Sequence, residues 1–390
     1  MTIVTRTDFP RKVKEVENFW IPMSDGVKLA ARMFIPTDAE KNPVPAVLEY
    51  LPYRKRDGTH VRDALTHPYL AGHGYAAIRV DMRGNGDSDG LMQDEYTKQE
   101  QDDALEVIAW IARQKWCTGK VGMFGISWGG FNALQVAARK PPALKAIVTI
   151  CSTDDRYEDD VHYKGGTVIN EMLGWAATML AYSSRPPDPE IVGKKWRKMW
   201  MERLKNEPFL LIPWLQHPHR DAYWKHGSVC EDWAAIEAPA LIVGGWNDAY
   251  SNAVPRLMKG LRTTRKAIIG PWAHKYPHFA KPGPQIGFLQ ECLRWWDKWL
   301  KGVETGVMEE PMLRAWIEEL IASHPEWRAD PDLTIEEIVT RELNDALRRS
   351  VTARYLRDRA AWSTSDGLVR VAEGTAPMLS RQRLGARDYS

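Results

Sequence analysis

The sequence predicts an α/β fold: a mostly parallel sheet with helices on both faces, interrupted once by a helical insertion. Short, near-continuous apolar runs recur at 46-AVLEYL-51, 76-AAIRV-80, 121-VGMFG-125, 144-LKAIVTI-150, 240-ALIVGG-245 and 266-KAIIG-270, as in strands buried on both faces. Helical stretches separate them, and parallel neighbours need such crossovers. The alternation stops after Ile150 and resumes at Pro239.

In chain order, Val27 to Phe34 follows the turn signal Ser24-Asp25-Gly26 and reads as an early antiparallel strand. Thr97 to Lys115 carries Ala104, Leu105, Ile108, Ile111 and Ala112 at helical spacing, and Gly129 to Arg139 forms the next helix. The interruption holds helix formers and aromatics, as in 171-EMLGWAATMLAY-182 and 194-KKWRKMWMERL-204. It is too long for a plain loop and is expected to be a helical cap over the end of the sheet. A closing helix spans 286-IGFLQECLRWWDKWLKG-302, ended by Gly302. Further on, 311-PMLRAWI-317 reads as a strand, and Thr334 with Glu337 makes a capping box ahead of Ile335, Ile338, Leu343, Leu347 and Val351. The expected division is a core in two parts, 1–151 and 237–305, a cap over 152–236, and a C-terminal segment over 306–390.

Of the 390 residues 44% are apolar, enough for a sizeable core, and Lys+Arg of 53 nearly cancels Asp+Glu of 51. A net charge of +2 without like-charge blocks points to neither a nucleic-acid nor a membrane partner. Cys117, Cys151, Cys230 and Cys292 form no CxxC pair and read as reduced thiols. No signal-type run and no stretch of ~20 apolar residues occurs, so the expected location is the cytoplasm. The 18 tryptophans are expected to fill a core and line a cleft.

One motif carries chemistry. Gly125-Ile126-Ser127-Trp128-Gly129 fits G-x-S-x-G, the nucleophile elbow of α/β-hydrolases, with the strand before it and the helix after it that the motif requires. Such an elbow lifts the serine hydroxyl clear of the sheet beside a helix N-terminus, and small neighbours let the backbone turn. Ser127 is therefore the expected nucleophile. A serine needs a base and an orienting acid, in the order Ser, Asp/Glu, His. Asp248 follows the strand 240-ALIVGG-245; its rivals Asp221 and Asp232 have no strand leading into them. His274 follows the strand 266-KAIIG-270, with His278 as competitor. The backbone N–H of Trp128 is the first expected oxyanion donor, and the second belongs to the loop 52-PYRKRDG-58, which has no HGGG-type run.

Taken together, 25-DGVKLAARMFIP-36, 50-YLPYRKRDG-58, 79-RVDMRGNGDSDG-90, 125-GISWGG-130, 244-GGWNDAYSN-252 and 270-GPWAH-274 resemble the cocaine-esterase and X-Pro dipeptidyl-peptidase-like α/β-hydrolases. The resemblance implies that Tyr53 donates its hydroxyl to the oxyanion, with a tyrosine merely packed under its loop as the alternative. It implies that Arg83 to Gly90 is a structural loop beside the site; Gly84, Gly86 and Gly90 miss the dinucleotide spacing by one residue. It also implies a cap inserted before the strand that carries the acid, and a C-terminal jelly-roll. The stretch 306–390 is too short for that sandwich, so it is expected to be truncated or replaced.

The expected activity is hydrolysis of carboxylic esters through an acyl-enzyme. Alternatives are X-Pro dipeptidyl-peptidase or α-amino-acid ester and β-lactam acyl hydrolysis, and a catalytically silent ligand-binding relative. Acidic residues in 154-DDRYEDD-160, Asp159 and Asp160 above all, could recognise an α-amino group, against the alternative of a solvated acidic face. A metal hydrolase is the remaining rival: His217, His219 and Asp221 alternate, but Ala222 stands where a further histidine belongs and no HExxH occurs. No cofactor is expected. The expected partner is a small ester, amide or short peptide, and a homo-oligomer is left open.

Overall fold

The computed structural model describes residues 7–316. The main sheet has nine strands: β1 (Val13–Pro22), β2 (Lys28–Pro36), β3 (Val44–Leu51), β4 (Ala76–Asp81), β5 (Cys117–Ile126), β6 (Leu144–Ile150), β9 (Ala240–Gly245), β10 (Arg265–Gly270) and β11 (Leu313–Ala315). The remaining strands, β7 (Tyr163–Lys164) and β8 (Thr167–Val168), form a small separate hairpin. The order across the sheet is β1-β2-β4-β3-β5-β6-β9-β10-β11. β1, β2 and β4 pair antiparallel, and every pair from β4 to β11 is parallel.

All six strands expected from apolar runs form. The cause is visible in their burial: β3, β4 and β9 are buried at every position, since helices cover both faces. Side chains alternate between two apolar clusters, one holding Ala46, Leu48 and Tyr50, the other Val47 with Trp295 and Trp296. β1 is a strand the apolar pattern does not reveal. It is an edge strand, VKEVENFWIP, whose outward positions face water, so its charges hide its alternation.

The helix Lys98–Ala112 begins at Thr97, whose side chain accepts the Glu100 amide. The closing helix runs from Phe288 to Trp296 and loosens into a π-turn, Asp297–Lys301, ended by Gly302 at φ 74°. Of the C-terminal expectations, the strand forms as β11; the helix expected from Ile335 to Val351 lies outside the described residues.

Between β6 and β9 the chain forms the hairpin and a series of helices, the longest being Glu171–Ser183 and Trp196–Asn206. This region is anchored to the loop after β4 by Arg203, buried at 1% exposure, whose guanidinium donates to the carbonyls of Gly86 and Ser88 there and of Arg185 within the region itself. Trp214 and Trp224 are fully buried, where they enclose His162.

Candidate active site

Ser127 stands between β5 and the helix Trp128–Ala138 at φ 56° and ψ −126°, a conformation that a non-glycine residue adopts only under constraint. The constraint is close packing. A Cβ on Gly125 would lie 2.7 Å from the Cα of Gly129, and one on Gly130 would lie 2.9 Å from Ser152. Only glycine lets strand and helix approach this far. The backbone of Ser127 is fully used: its N–H donates to Ile150 and its carbonyl accepts from Gly130 and Phe131. Its hydroxyl makes no capping bond to the helix.

Asp248 sits in the turn after β9, 7% exposed. Its Oδ1 lies 3.0 Å from Nδ1 of His274, in the loop after β10. Burial, the largest single influence, works to raise this carboxyl's pKa, but the hydrogen bond and charge of His274 together with hydrogen bonds from Cys151 and the Tyr250 amide hold the group below its ordinary value. A carboxylate so held fixes the imidazole tautomer with Nε2 free. His278, the sequence-level competitor, does not meet Asp248. Its ring stacks at 11° on Phe288, both of its nitrogens are buried without partners, and burial pushes its pKa down to about 4. Of the rival acids, Asp221 pairs with His217 at 2.6 Å, and Asp232 caps the short turn Trp233–Ala235.

β10 lies three strands from β5, so the loop after it must lean back across the sheet edge. Two contacts show that it does. The Tyr276 hydroxyl donates to Glu49 on β3 at 2.8 Å. The Tyr250 ring stands 5.7 Å from His274 on one side and 5.7 Å from Phe131, in the helix after Ser127, on the other. Cys151 closes the floor: Sγ, the Asp248 carboxylate and a His274 nitrogen lie within 4.8 Å of one another. Burial raises the pKa of this thiol far above its ordinary value, so it is not a rival nucleophile.

Tyr53 lies in the turn after β3. Burial raises the pKa of its phenol, while hydrogen bonding with the Ser127 side chain and the Trp128 amide opposes that rise. The Tyr53 ring stands 6.4 Å from that of Trp128, edge to face, so the turn lies beside the first residue of the helix that follows Ser127. The turn is rigid. Arg54 adopts φ 59°, a Cβ on Gly58 would lie 1.8 Å from the Tyr53 carbonyl oxygen, and the Lys55 N–H donates to Asp81 at 2.6 Å. The Lys55 ammonium, with no exposed side-chain surface, pairs with Asp87 at 2.6 Å. Asp87 lies in the loop Arg83 to Gly90, which thereby braces the Tyr53 turn.

The segment 154–160 is not a solvated face: Asp154, Asp159 and Asp160 are buried. The two carboxylates expected to act together separate. Asp159 is taken up by Arg256 at 2.5 Å and by Thr153. Asp160 accepts from the Tyr250 hydroxyl at 2.7 Å, and its Oδ2 has no hydrogen-bond donor. Burial pushes the Asp160 carboxyl up to about 6, against the pull of His162. Glu95, missed by sequence reasoning, joins this cluster, 2.7 Å from His162. Its only sequence signal is the charge itself.

The chain is similar to several known proteins. The cocaine esterase of Rhodococcus sp. (strain MB1 Bresler) is 29% identical over 388 residues, covering 90% of this chain and 63% of its own length. The chain thus spans less than two thirds of that relative. A CocE/NonD family hydrolase from Staphylococcus aureus is 20% identical and superposes with a TM-score of 0.64 over 78% of this chain and 54% of its own. An aminopeptidase from a marine sediment Thaumarchaeota archaeon, 21% identical, gives 0.59 over 81% and 58%. The fold is therefore that of the α/β-hydrolases. The model of the X-Pro dipeptidyl-peptidase (S15 family) matches residues 25–276, which include the elbow, both partner loops and the Tyr53 turn, and the chain belongs to that family.

Proposed function

We propose that the protein is a serine hydrolase that cleaves carboxylic esters through an acyl-enzyme. The observation that carries this reading is the 3.0 Å contact of Asp248 with His274, on the sheet edge where Ser127 is held at φ 56°. In the proposed reaction His274 takes the Ser127 proton through Nε2 as Oγ attacks the carbonyl carbon. Asp248 stabilises the imidazolium. The oxyanion is met by the Trp128 N–H and the Tyr53 hydroxyl, and the imidazolium then protonates the leaving alkoxide. Water, deprotonated by the same imidazole, attacks the acyl-enzyme and frees Ser127. The curated relative's name, cocaine esterase, supports an ester as the substrate. The residues between β6 and β9 serve in this reading as a cap over the site. No helix of the described residues is long and apolar enough to cross a membrane, and four unpaired cysteines suit a reducing compartment such as the cytoplasm.

The deciding experiment is a panel of p-nitrophenyl esters run against aminoacyl and X-Pro p-nitroanilides, with Ser127→Ala alongside. Ester turnover abolished in Ser127→Ala supports the reading; activity undiminished by that change refutes it.

One observation favours a second reading, preference for substrates with a free α-amino group. Asp160 keeps an oxygen without a hydrogen-bond donor, 3.7 Å from His162 Nδ1, lies within electrostatic reach of Tyr53, and bonds to the tyrosine that packs on His274. An ammonium group there would find a carboxylate beside the reacting carbonyl.

A further inference from the structure

Behind the site lies a buried carboxyl that no step of the proposed reaction uses. Glu100 belongs to the first turn of the helix Lys98–Ala112, where Thr97 and Glu100 have the spacing of a capping box. In such a box the glutamate returns to the N-cap amide. Here Oε1 instead accepts the indole N–H of Trp128 at 2.6 Å, and Oε2 accepts the amide of Tyr96 at 2.7 Å.

Both partners matter to the site. Tyr96 is held at φ 56°, and its ring packs 4.9 Å from Trp128 and stacks on Phe131. Trp128 carries the first oxyanion donor on its backbone. Its indole also stands 6.4 Å from the Tyr53 ring at an interplanar angle of 88°, an edge-to-face contact. One side chain thus bears on both donors, and Glu100 holds that side chain by its only polar atom.

We propose that Glu100 is the positioning residue of the oxyanion hole: it locks the Trp128 indole so that the Trp128 N–H and the Tyr53 hydroxyl converge on one point. The proposal rests on the serine-hydrolase reading above. Glu100 touches neither Ser127 nor the substrate cleft's reacting atoms, and acts through Trp128. A strained corner such as Ser127 keeps its geometry only while its surroundings over-determine it, and the indole bond is one of those constraints. Oxyanion stabilisation depends on donors aimed at the developing charge, so its loss is felt in the transition state and not in substrate binding.

The test compares wild type, Trp128→Phe, Glu100→Gln, Glu100→Leu and the double variant Trp128→Phe/Glu100→Leu. Each is assayed for kcat and KM on a p-nitrophenyl ester and for affinity towards an arylboronic acid, which mimics the tetrahedral oxyanion. Trp128→Phe removes the N–H that Glu100 receives together with part of a fully buried indole, so its effect is read beside those of Glu100→Leu and Glu100→Gln, which leave the indole whole. Expected is a loss of about tenfold in kcat for Trp128→Phe and Glu100→Leu, a parallel loss of boronate affinity, and an unchanged KM. The double variant should be no worse than either single one, because both break the same link. Glu100→Gln, which retains one acceptor for the indole, should recover part of the loss.

Wild-type kcat and boronate affinity in Trp128→Phe overturn the proposal, as do losses that multiply in the double variant. If Glu100→Leu does not fold, Glu100→Gln, which leaves the indole whole, decides with Trp128→Phe: wild-type kcat and boronate affinity in both overturn the proposal. A wild-type protein that turns over no ester and whose Ser127 takes no fluorophosphonate removes the hydrolase reading and the proposal together. Active wild type with indifferent variants overturns the proposal alone.

Discussion

Replacing Tyr53 by Phe deletes one hydroxyl and leaves the ring where it is. The ring's neighbours, Trp128 at 6.4 Å, Trp175 at 6.1 Å and Tyr182 at 5.8 Å, meet the aromatic face and edge that phenylalanine retains. In the resting protein the hydroxyl interacts with the Ser127 side chain and the Trp128 amide. Neutral hydrogen bonds of that kind contribute about 1 kcal/mol each, so the fold should weaken by no more than ~2 kcal/mol. The oxyanion would depend on the same hydroxyl far more, because charge develops there in a partly desolvated cleft. Losing one such donor costs about 2.7–4 kcal/mol of transition-state stabilisation, a fall in kcat of roughly 10²–10³-fold. Since burial raises the phenol's pKa, the donor stays protonated through the neutral range and the loss should not vary with pH there. The assay is steady-state kinetics on a p-nitrophenyl ester, with thermal melting to verify the fold. A variant with wild-type kcat, or one whose loss lies wholly in KM, refutes the assignment of Tyr53 as an oxyanion donor.

Gly125→Ala sets a methyl 2.7 Å from the Gly129 backbone; it should destabilise by about 1–3 kcal/mol or more and slow fluorophosphonate labelling of Ser127, both of which unaltered melting and labelling would contradict. His278 has its pKa depressed to about 4 by burial, against about 6.5 in an unfolded chain, so below pH ~6.5 the folded state binds fewer protons. Its share of stability is present above that pH and lost as the pH falls towards 4, roughly 3 kcal/mol in all. His278→Phe, still stacked on Phe288, should therefore widen its melting advantage over wild type as pH drops from neutral, and an advantage constant with pH would show the reasoning wrong. Asp160→Asn should lower the ratio of kcat/KM for aminoacyl over N-blocked esters by roughly tenfold or more, the worth of a charge-assisted hydrogen bond, whereas Asp159→Asn, whose partner is Arg256, should leave that ratio unchanged and lower the melting temperature. An unchanged ratio in Asp160→Asn removes the amine reading.

Much of this was legible in the chain because it depends on local patterns. The strands β3 to β6, β9 and β10 announce themselves as apolar runs since both of their faces are covered, and the elbow does so through glycines that no other residue could replace. β1 escaped because an edge strand has no need of two apolar faces. Glu100 could have been suspected from Thr97-x-x-Glu100, but the spacing points to the wrong donor: the side chain passes the N-cap amide for an indole N–H on another helix. Lys55 with Asp87 and Glu49 with Tyr276 leave no pattern at all, being pairs 32 and 227 positions apart in the chain.

By itself the sequence determined the α/β fold, the serine corner, and the order in which acid and base follow it, because each rests on residues adjacent in the chain whose sterics and periodicity act locally. Only the tertiary structure sets His274, and not His278 one helical turn further on, beside the Asp248 carboxylate. Likewise only the tertiary structure parted Asp159 from Asp160: adjacent side chains in an irregular segment can point to different partners, and which carboxylate meets Arg256 depends on a helix nearly a hundred residues away. Charge pairing, burial and the convergence of donors are properties of distances between elements, and those distances exist only once the sheet has brought its strand ends together.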